Sequence, residues 1–278
     1  MMSILEGCSI AEVLTANWLE PLEARVLLGH ALGLTRVQLV TRSERILDAD
    51  EALRVNALFE QRRAGEPIAY LTGEREFFGL SFIVTPAVLI PRPDTELLVE
   101  LALQQLPQNG ALLDLGTGSG IIAIGVAHSR PDASVSAVDI SPAALDIARH
   151  NAVRHGVQIA FMCSDWYAAI PPQRFDVIAA NPPYIVAGDE HLTQGDLRHE
   201  PLSALTDHGN GLSALRSVIA DAGDFLKPGG WLLMEHGYNQ AQAVRDLLIA
   251  RGGFNAASIT SWRDLAGIER VTAAQLNA

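Results

Sequence analysis

An α/β architecture is what this 278-residue sequence predicts: an open, mostly parallel sheet covered on both faces by helices, preceded by a small helical bundle and a β-hairpin. Three observations carry that expectation. Residues 9–73 place apolar side chains at helical spacing. Residues 74–88 alternate aromatic and β-branched side chains around Gly79-Leu80, the pattern of a hairpin. From Gly110 onward, short apolar runs alternate with helical segments, as expected for strands buried between crossover helices. The organisation read from these textures is a helical domain over 1–73, a connecting hairpin over 74–88 and an α/β domain over 89–278.

In the first region, Ser9-Ile10-Ala11-Glu12 has the form of a capping box ahead of Val13, Leu14 and Leu19. Pro21 opens a second helix through Val26, Leu27 and Leu32. Asp50 is the expected cap of a third, and residues 67–71 form a short helix stopped by Gly73. After the hairpin, Pro91-Arg92-Pro93-Asp94-Thr95-Glu96 reads as a loop and helix start, with Thr95 or Asp94 as cap. The expected strands are 111–115, 134–139, 158–163, 175–180 and 231–235. Lys227-Pro228-Gly229-Gly230 is read as the turn before the last of these.

Composition narrows the function. Hydrophobic residues make up 49% and charged residues 19%, with mean hydropathy +0.18. That is enough for a large core and excludes global disorder. Twenty basic against 32 acidic residues give a net charge of −12, which repels phosphate backbones and argues against a general nucleic-acid binder. The two cysteines, Cys8 and Cys163, form no metal or redox spacing. The histidines show none either, so no metal is expected. No apolar run reaches ~18 residues, and the start lacks a signal-peptide pattern, so a cytoplasmic location is expected.

Four features fall directly after strands, where open α/β sheets bind ligands. Asp114-Leu115-Gly116-Thr117-Gly118-Ser119-Gly120 allows a sharp turn and close approach of backbone to a ligand. Its G-x-G-x-G spacing differs from that of pyrophosphate binders, and a turn without ligand is the plainer alternative. Asp139 ends the next strand, where a carboxylate accepts from ribose hydroxyls. Alone, it reads equally as part of a helix cap with Ser141 and Pro142. Ser164-Asp165-Trp166 offers a carboxylate for an exocyclic amine and a ring to cover a base. Asn181-Pro182-Pro183-Tyr184 is the sharpest signal. Its prolines stiffen the loop, fixing two acceptors, the Asn181 side-chain oxygen and the Pro182 carbonyl. Tyr184 adds a flat face.

This combination resembles the class I S-adenosylmethionine-dependent methyltransferases, with their Rossmann-like seven-stranded sheet. The helical N-terminus, the hairpin, LIPRPDTE at 89–96, DLGTGSG at 114–120, NPPY at 181–184 and EHG at 235–237 together resemble the HemK/PrmC family over essentially the whole chain. The resemblance implies methylation of the side-chain amide nitrogen (N5) of the glutamine in the GGQ motif of class 1 peptide chain release factors. It also implies that Gly116, Thr117, Gly118, Ser119, Gly120, Asp139, Asp165, Trp166 and Asn181 line the S-adenosylmethionine site. Asn181, Pro182, Pro183 and Tyr184 would then hold the glutamine, with Asn181, Pro182 and Tyr184 as the catalytic set. The helical domain would dock the protein substrate.

The chemistry agrees with that implication. A carboxamide nitrogen is a poor nucleophile because its lone pair is delocalised. Two fixed acceptors gripping its N–H bonds orient it and stabilise the charge that develops during attack. No general base is evident. Arg92 lies where its loop approaches the site, though a structural ion pair explains it as well. Two other readings remain on sequence grounds. One is amino methylation of nucleic acid at adenine N6 or guanine N2, against which the acidic charge counts. The other is a non-catalytic cofactor-binding protein, against which the intact NPPY loop counts.

Overall fold

The structure is a computed structural model that describes residues 7–16 and 18–278. Residues 1–6 and 17 of the expected first domain lie outside the described residues. The chain divides into two units, Met1–Glu74 and Arg75–Ala278.

Capping sequences organise the first unit. The box between Ser9 and Glu12 starts α1 (Ile10–Thr15), and Pro21 opens α2 (Pro21–Leu32), which ends at left-handed Gly33. Thr35 and Gln38 form a second box that starts α3 (Arg36–Thr41), a helix the apolar spacing did not separate. The next helix, α4 (Ala49–Arg63), is capped by Asp48 and not by Asp50. Three residues beyond Asp48 lies Glu51, whose side chain completes a box. Three residues beyond Asp50 lies Leu53, which cannot. Helix α5 (Ile68–Thr72) stops at left-handed Gly73. Ile10, Leu27, Leu28, Val55 and Phe59 form the centre of this unit's core.

The hairpin follows, β1 (Glu74–Phe77) and β2 (Leu80–Ile83), and the second unit begins at Arg75 within its first strand. Its turn residues Phe78 and Gly79 have φ of 51° and 72°, the left-handed pair of a two-residue hairpin turn. Phe77 and Phe82 are core residues packed with Leu98 and Val99. A 3₁₀ turn at Pro93–Thr95 leads into α6 (Glu96–Gln105). Neither Asp94 nor Thr95 caps this helix through its side chain. Asp94 pairs with Arg270 at 3.5 Å, and the Thr95 hydroxyl accepts a bond from Asn181.

Strand and helix then alternate: β3 (Ala111–Leu115), α7 (Ile121–Ser129), β4 (Ser134–Asp139), α8 (Pro142–Arg154), β5 (Ala160–Cys163) and β6 (Phe175–Ala180). A long connection carrying α9 (Leu202–Leu205) precedes α10 (Ser213–Phe225), β7 (Leu226–Glu235), α11 (Ala241–Arg251), β8 (Thr260–Arg263) and β9 (Glu269–Gln275). The strands form one seven-stranded sheet in the order β5-β4-β3-β6-β7-β9-β8. Pairings from β5 to β7 are parallel, and β9 is antiparallel to both neighbours. Side-chain alternation puts Leu112, Val177 and Leu233 into one core layer and Leu113, Ile178 and Leu232 into the other.

Lys227–Gly230 is not a turn outside the sheet. Leu226 already pairs with Phe175, and pairing resumes with Trp231 opposite Val177. The four residues form a bulge inside β7, where Pro228 donates no ladder bond and none is needed.

Candidate active site

The chain runs from β3 outward to β5 and returns to β6 on the opposite side of β3. The crevice at such a reversal, beyond the carboxyl ends of the strands, is where open α/β sheets take ligands. The segments following β3, β4, β5 and β6 all meet there, around a cavity of about 430 Å³.

The glycine loop wraps the end of β4. The amides of Gly116 and Thr117 both donate to the Val138 carbonyl at 2.9 Å, and the Gly118 amide donates to Asp139 Oδ2 at 2.9 Å. Asp139 Oδ1 accepts from the Ser141 amide at 2.9 Å, while the Ser141 hydroxyl caps α8. Asp139 therefore ties the loop to the next helix as well as facing the cavity. Burial raises its pKa against the lowering effect of the amides that bond it. Behind the loop, fully buried Asp114 accepts from Thr117 Oγ1 at 2.6 Å and from the Ala123 amide at 3.2 Å. Burial pushes Asp114 up to about 7.

After β5, the Ser164 hydroxyl donates to the Trp166 carbonyl at 2.8 Å and accepts from the Ala169 amide at 3.0 Å. That buried brace holds Trp166 at φ 46°. A Cβ placed on Gly116 would lie 3.7 Å from the indole edge, so the glycine loop and the tryptophan border one space.

After β6, Asn181 Nδ2 donates to Thr95 Oγ1 at 3.2 Å. The Tyr184 hydroxyl donates to Glu235 Oε1 at 3.2 Å, and the Tyr184 carbonyl accepts from Gln240 Nε2 at 2.9 Å. Burial raises the Tyr184 phenol, and the Glu235 carboxylate beside it adds to the shift. Burial likewise pushes Glu235 up to about 7, against hydroxyls of Thr95 and Tyr184 that favour its charged form. His236 and Gly237 do not line the cavity: His236 Nε2 bonds Thr272 Oγ1 of β9 at 2.8 Å, and the Gly237 amide donates to Gln240 Oε1 at 2.8 Å. Arg92 makes an ion pair with the fully buried carboxylate of Glu200, which also accepts from the Ile90 amide at 2.9 Å.

Of the residues singled out from sequence, Gly116, Thr117, Gly118 and Ser119 line the cavity, as do Asp139, Asp165 and Trp166. Asn181, Pro182 and Pro183 complete that set. Gly120 and Tyr184 do not line it. Gly120 is the left-handed N-cap of α7, and the Tyr184 ring packs against the core layer that contains Met234. The spacing of motifs missed a whole wall, built by the connection between β6 and β7. Pro201, Ser203, Thr206, Asp207, His208 and Ser217 stand there. The signal for its centre was Asp207-His208-Gly209-Asn210-Gly211, a dense turn sequence. Asp207 collects the amides of Gly209, Gly211 and Ser213 at 2.8, 2.9 and 2.7 Å. Burial alone would raise its pKa, but those bonds outweigh it and hold the carboxyl below its usual range.

The cavity's donor set defines its ligand class. Among the described residues three aspartates line it and no lysine or arginine does, which suits a nucleoside with hydroxyls, an amine and positive charge and opposes a phosphate. Its size is that of a small-molecule site. S-adenosylmethionine fits this description.

Comparison with known proteins agrees. The family model described as methyltransferase small domain matches residues 93–211, and that described as PrmC N-terminal domain matches residues 10–73. The release factor glutamine methyltransferase of Burkholderia pseudomallei is 54% identical, with 96% of this chain and 95% of that protein covered. The protein of the same name from Neisseria gonorrhoeae is 49% identical, covering 94% and 95%. Among solved structures, a methyltransferase from Pyrococcus furiosus shares the fold at a TM-score of 0.55 and 18% identity, over 80% of this chain and 97% of that one. With about half of all residues identical over nearly the full length of both relatives, this chain belongs to the family of release factor glutamine methyltransferases.

Proposed function

We propose that this enzyme transfers a methyl group from S-adenosylmethionine to the side-chain amide nitrogen of the glutamine in the Gly-Gly-Gln motif of class 1 release factors, in the cytoplasm. The observation that carries the reading is the state of Asn181. Its NH2 end is committed to Thr95, so its carbonyl end is left to serve the cavity that the residue lines. An acceptor there matches a substrate that presents an NH2 group.

When bound, the cofactor supplies a methyl group made electrophilic by its sulfonium. The protein's task is then placement. Asn181 Oδ1 and the Pro182 carbonyl accept the two N–H bonds of the substrate carboxamide and hold its nitrogen toward the methyl carbon. Both oxygens gain strength as positive charge develops on that nitrogen. The prolines keep the two acceptors from rotating away. Tyr184 acts from behind: its hydroxyl bond to Glu235 and its carbonyl bond to Gln240 anchor the loop. Proton loss to water completes the transfer.

Labelled-methyl transfer to purified release factor, tRNA, rRNA and DNA tests the substrate class. Label is expected on the release factor alone, and none on a factor whose motif glutamine is replaced. Label on a purine amino group would favour nucleic acid instead. We also assign the helical residues 1–73 to docking the factor, supported by exposed Leu22, Val37, Val40 and Leu53 on its helices. Removing them is expected to weaken capture of intact factor at least tenfold while sparing methylation of a Gly-Gly-Gln peptide. Equal loss on both substrates would refute the docking role.

A further inference from the structure

Residues 92–96 carry side chains that reach separate parts of the second unit. Glu96 Oε1 accepts from the Phe78 amide of the hairpin turn at 2.9 Å. Thr95 Oγ1 accepts from Asn181, and Asp94 pairs with Arg270 of β9. Arg92 donates to Glu200 Oε1. The function proposed above gives this last pair no task.

The Glu200 side chain is wholly buried, while that of Arg92 is partly exposed. The second oxygen of Glu200 accepts from the Ile90 amide at 2.9 Å. Both neighbourhoods of this carboxylate border the cavity. Ala87, Val88 and Leu89, just before Ile90, line it, and so do Pro201, Ser203 and Ala204, just after Glu200. Neither segment belongs to the seven-stranded sheet, so the ladder does not fix their separation. A carboxylate has two acceptor oxygens and can serve both donors at once.

We infer that Arg92 and Glu200 are positioning residues that hold these two segments at the spacing S-adenosylmethionine needs, and so set cofactor affinity. This inference rests on the reading of the cavity as the cofactor site. A wall in place only part of the time lowers apparent affinity by that fraction. The clamp is spared, because Thr95 keeps its bond to Asn181 whatever side chain stands at position 92.

The test reads cofactor Kd by calorimetry and kcat at saturating cofactor separately. Arg92→Met keeps an apolar stem and removes the donor. It is expected to raise cofactor Kd about 10-fold, with kcat within about threefold of the parent. Arg92→Lys keeps a cation, and one nitrogen is all the contact uses, so its Kd is expected to stay within about threefold. Glu200→Gln offers one oxygen to two donors. It is expected to raise Kd at least as much as Arg92→Met, and it serves should the methionine variant fold poorly. The double variant is expected to lose less than the product of the two single effects, because both act through one contact. Parent Kd in Arg92→Met and Glu200→Gln would overturn the tie. So would a loss of kcat as large as the loss of affinity, an Arg92→Lys loss equal to that of Arg92→Met, or fully multiplicative effects. Parent Kd in both Asp139→Ala and Trp166→Ala would instead overturn the reading of the cavity on which the tie rests.

Discussion

Two glycines of one motif do different work. Gly118 and Gly120 both have positive φ, 55° and 89°, and in the sequence they read alike. Around Gly118 a Cβ would meet open space, and the residue lines the cavity. Around Gly120 a Cβ would lie 2.8 Å from Ile124 Cδ1 and 3.3 Å from Ala148 Cβ. Gly118→Ala should therefore cost stability only through backbone strain, about 1 kcal/mol, while its methyl narrows the cavity proposed to hold the cofactor. Gly120→Ala adds overpacking to strain, for about 3 kcal/mol in total. Denaturant titration and cofactor calorimetry on the pair should show a cross-over: the first variant loses mainly affinity, the second mainly stability. The same loss pattern in both variants would contradict this division.

At the scale of elements, one asparagine joins three of them. Asn151 on α8 is fully buried. It accepts from the Ile83 amide at 2.7 Å and donates to the Ile83 carbonyl at 3.0 Å and the Ser119 carbonyl at 2.9 Å. Hairpin, glycine loop and helix are thus fixed to one another by a single side chain. Asn151→Ala strands buried backbone groups that cost roughly 1–3 kcal/mol each, so a loss of roughly 3–5 kcal/mol is expected by urea unfolding. Hydrogen exchange at the Ile83 amide should accelerate more than at its hairpin neighbours, and uniform acceleration would show that the bond is not what holds the strand. Nothing in the sequence marks this residue, because an interior asparagine in a helix takes its meaning from distant backbone. The same limit applies to Thr95 and Glu235, whose partners lie 86 and 51 residues away. Local chemistry was legible: the Ser9 box, the Pro21 start, the strands β3, β4 and β6, and the turn glycines all follow from nearest-neighbour rules. Asp48 displaced Asp50 because a cap is chosen by the residue three positions on. The cavity wall at residues 201–217 stayed hidden because an irregular connection has no period to read.

Across the whole molecule, two buried carboxylates from different strands share one electrostatic consequence. Burial pushes Asp114 and Glu235 up to about 7 from ordinary values of 3.8 and 4.5. The folded chain therefore holds protons that the unfolded chain has released, and the native state binds more of them between about pH 4 and 7. Stability from these two groups is complete below that window, falls as pH rises through it, and is level above it. Surface carboxylates work in the opposite sense: the Arg130 guanidinium holds Asp132 below its usual range, so its contribution is lost only in stronger acid. The two effects separate on the pH axis. Glu235→Gln removes one buried titration and leaves Asp132 alone. The unfolding free energy of the parent relative to this variant should then decline by roughly 3 kcal/mol between pH 4.5 and 8, with no trend below about pH 4. A difference that is flat across the window, or that grows with pH, would mean that Glu235 is charged in the fold at all these values and is held by its hydroxyl partners more strongly than burial opposes it.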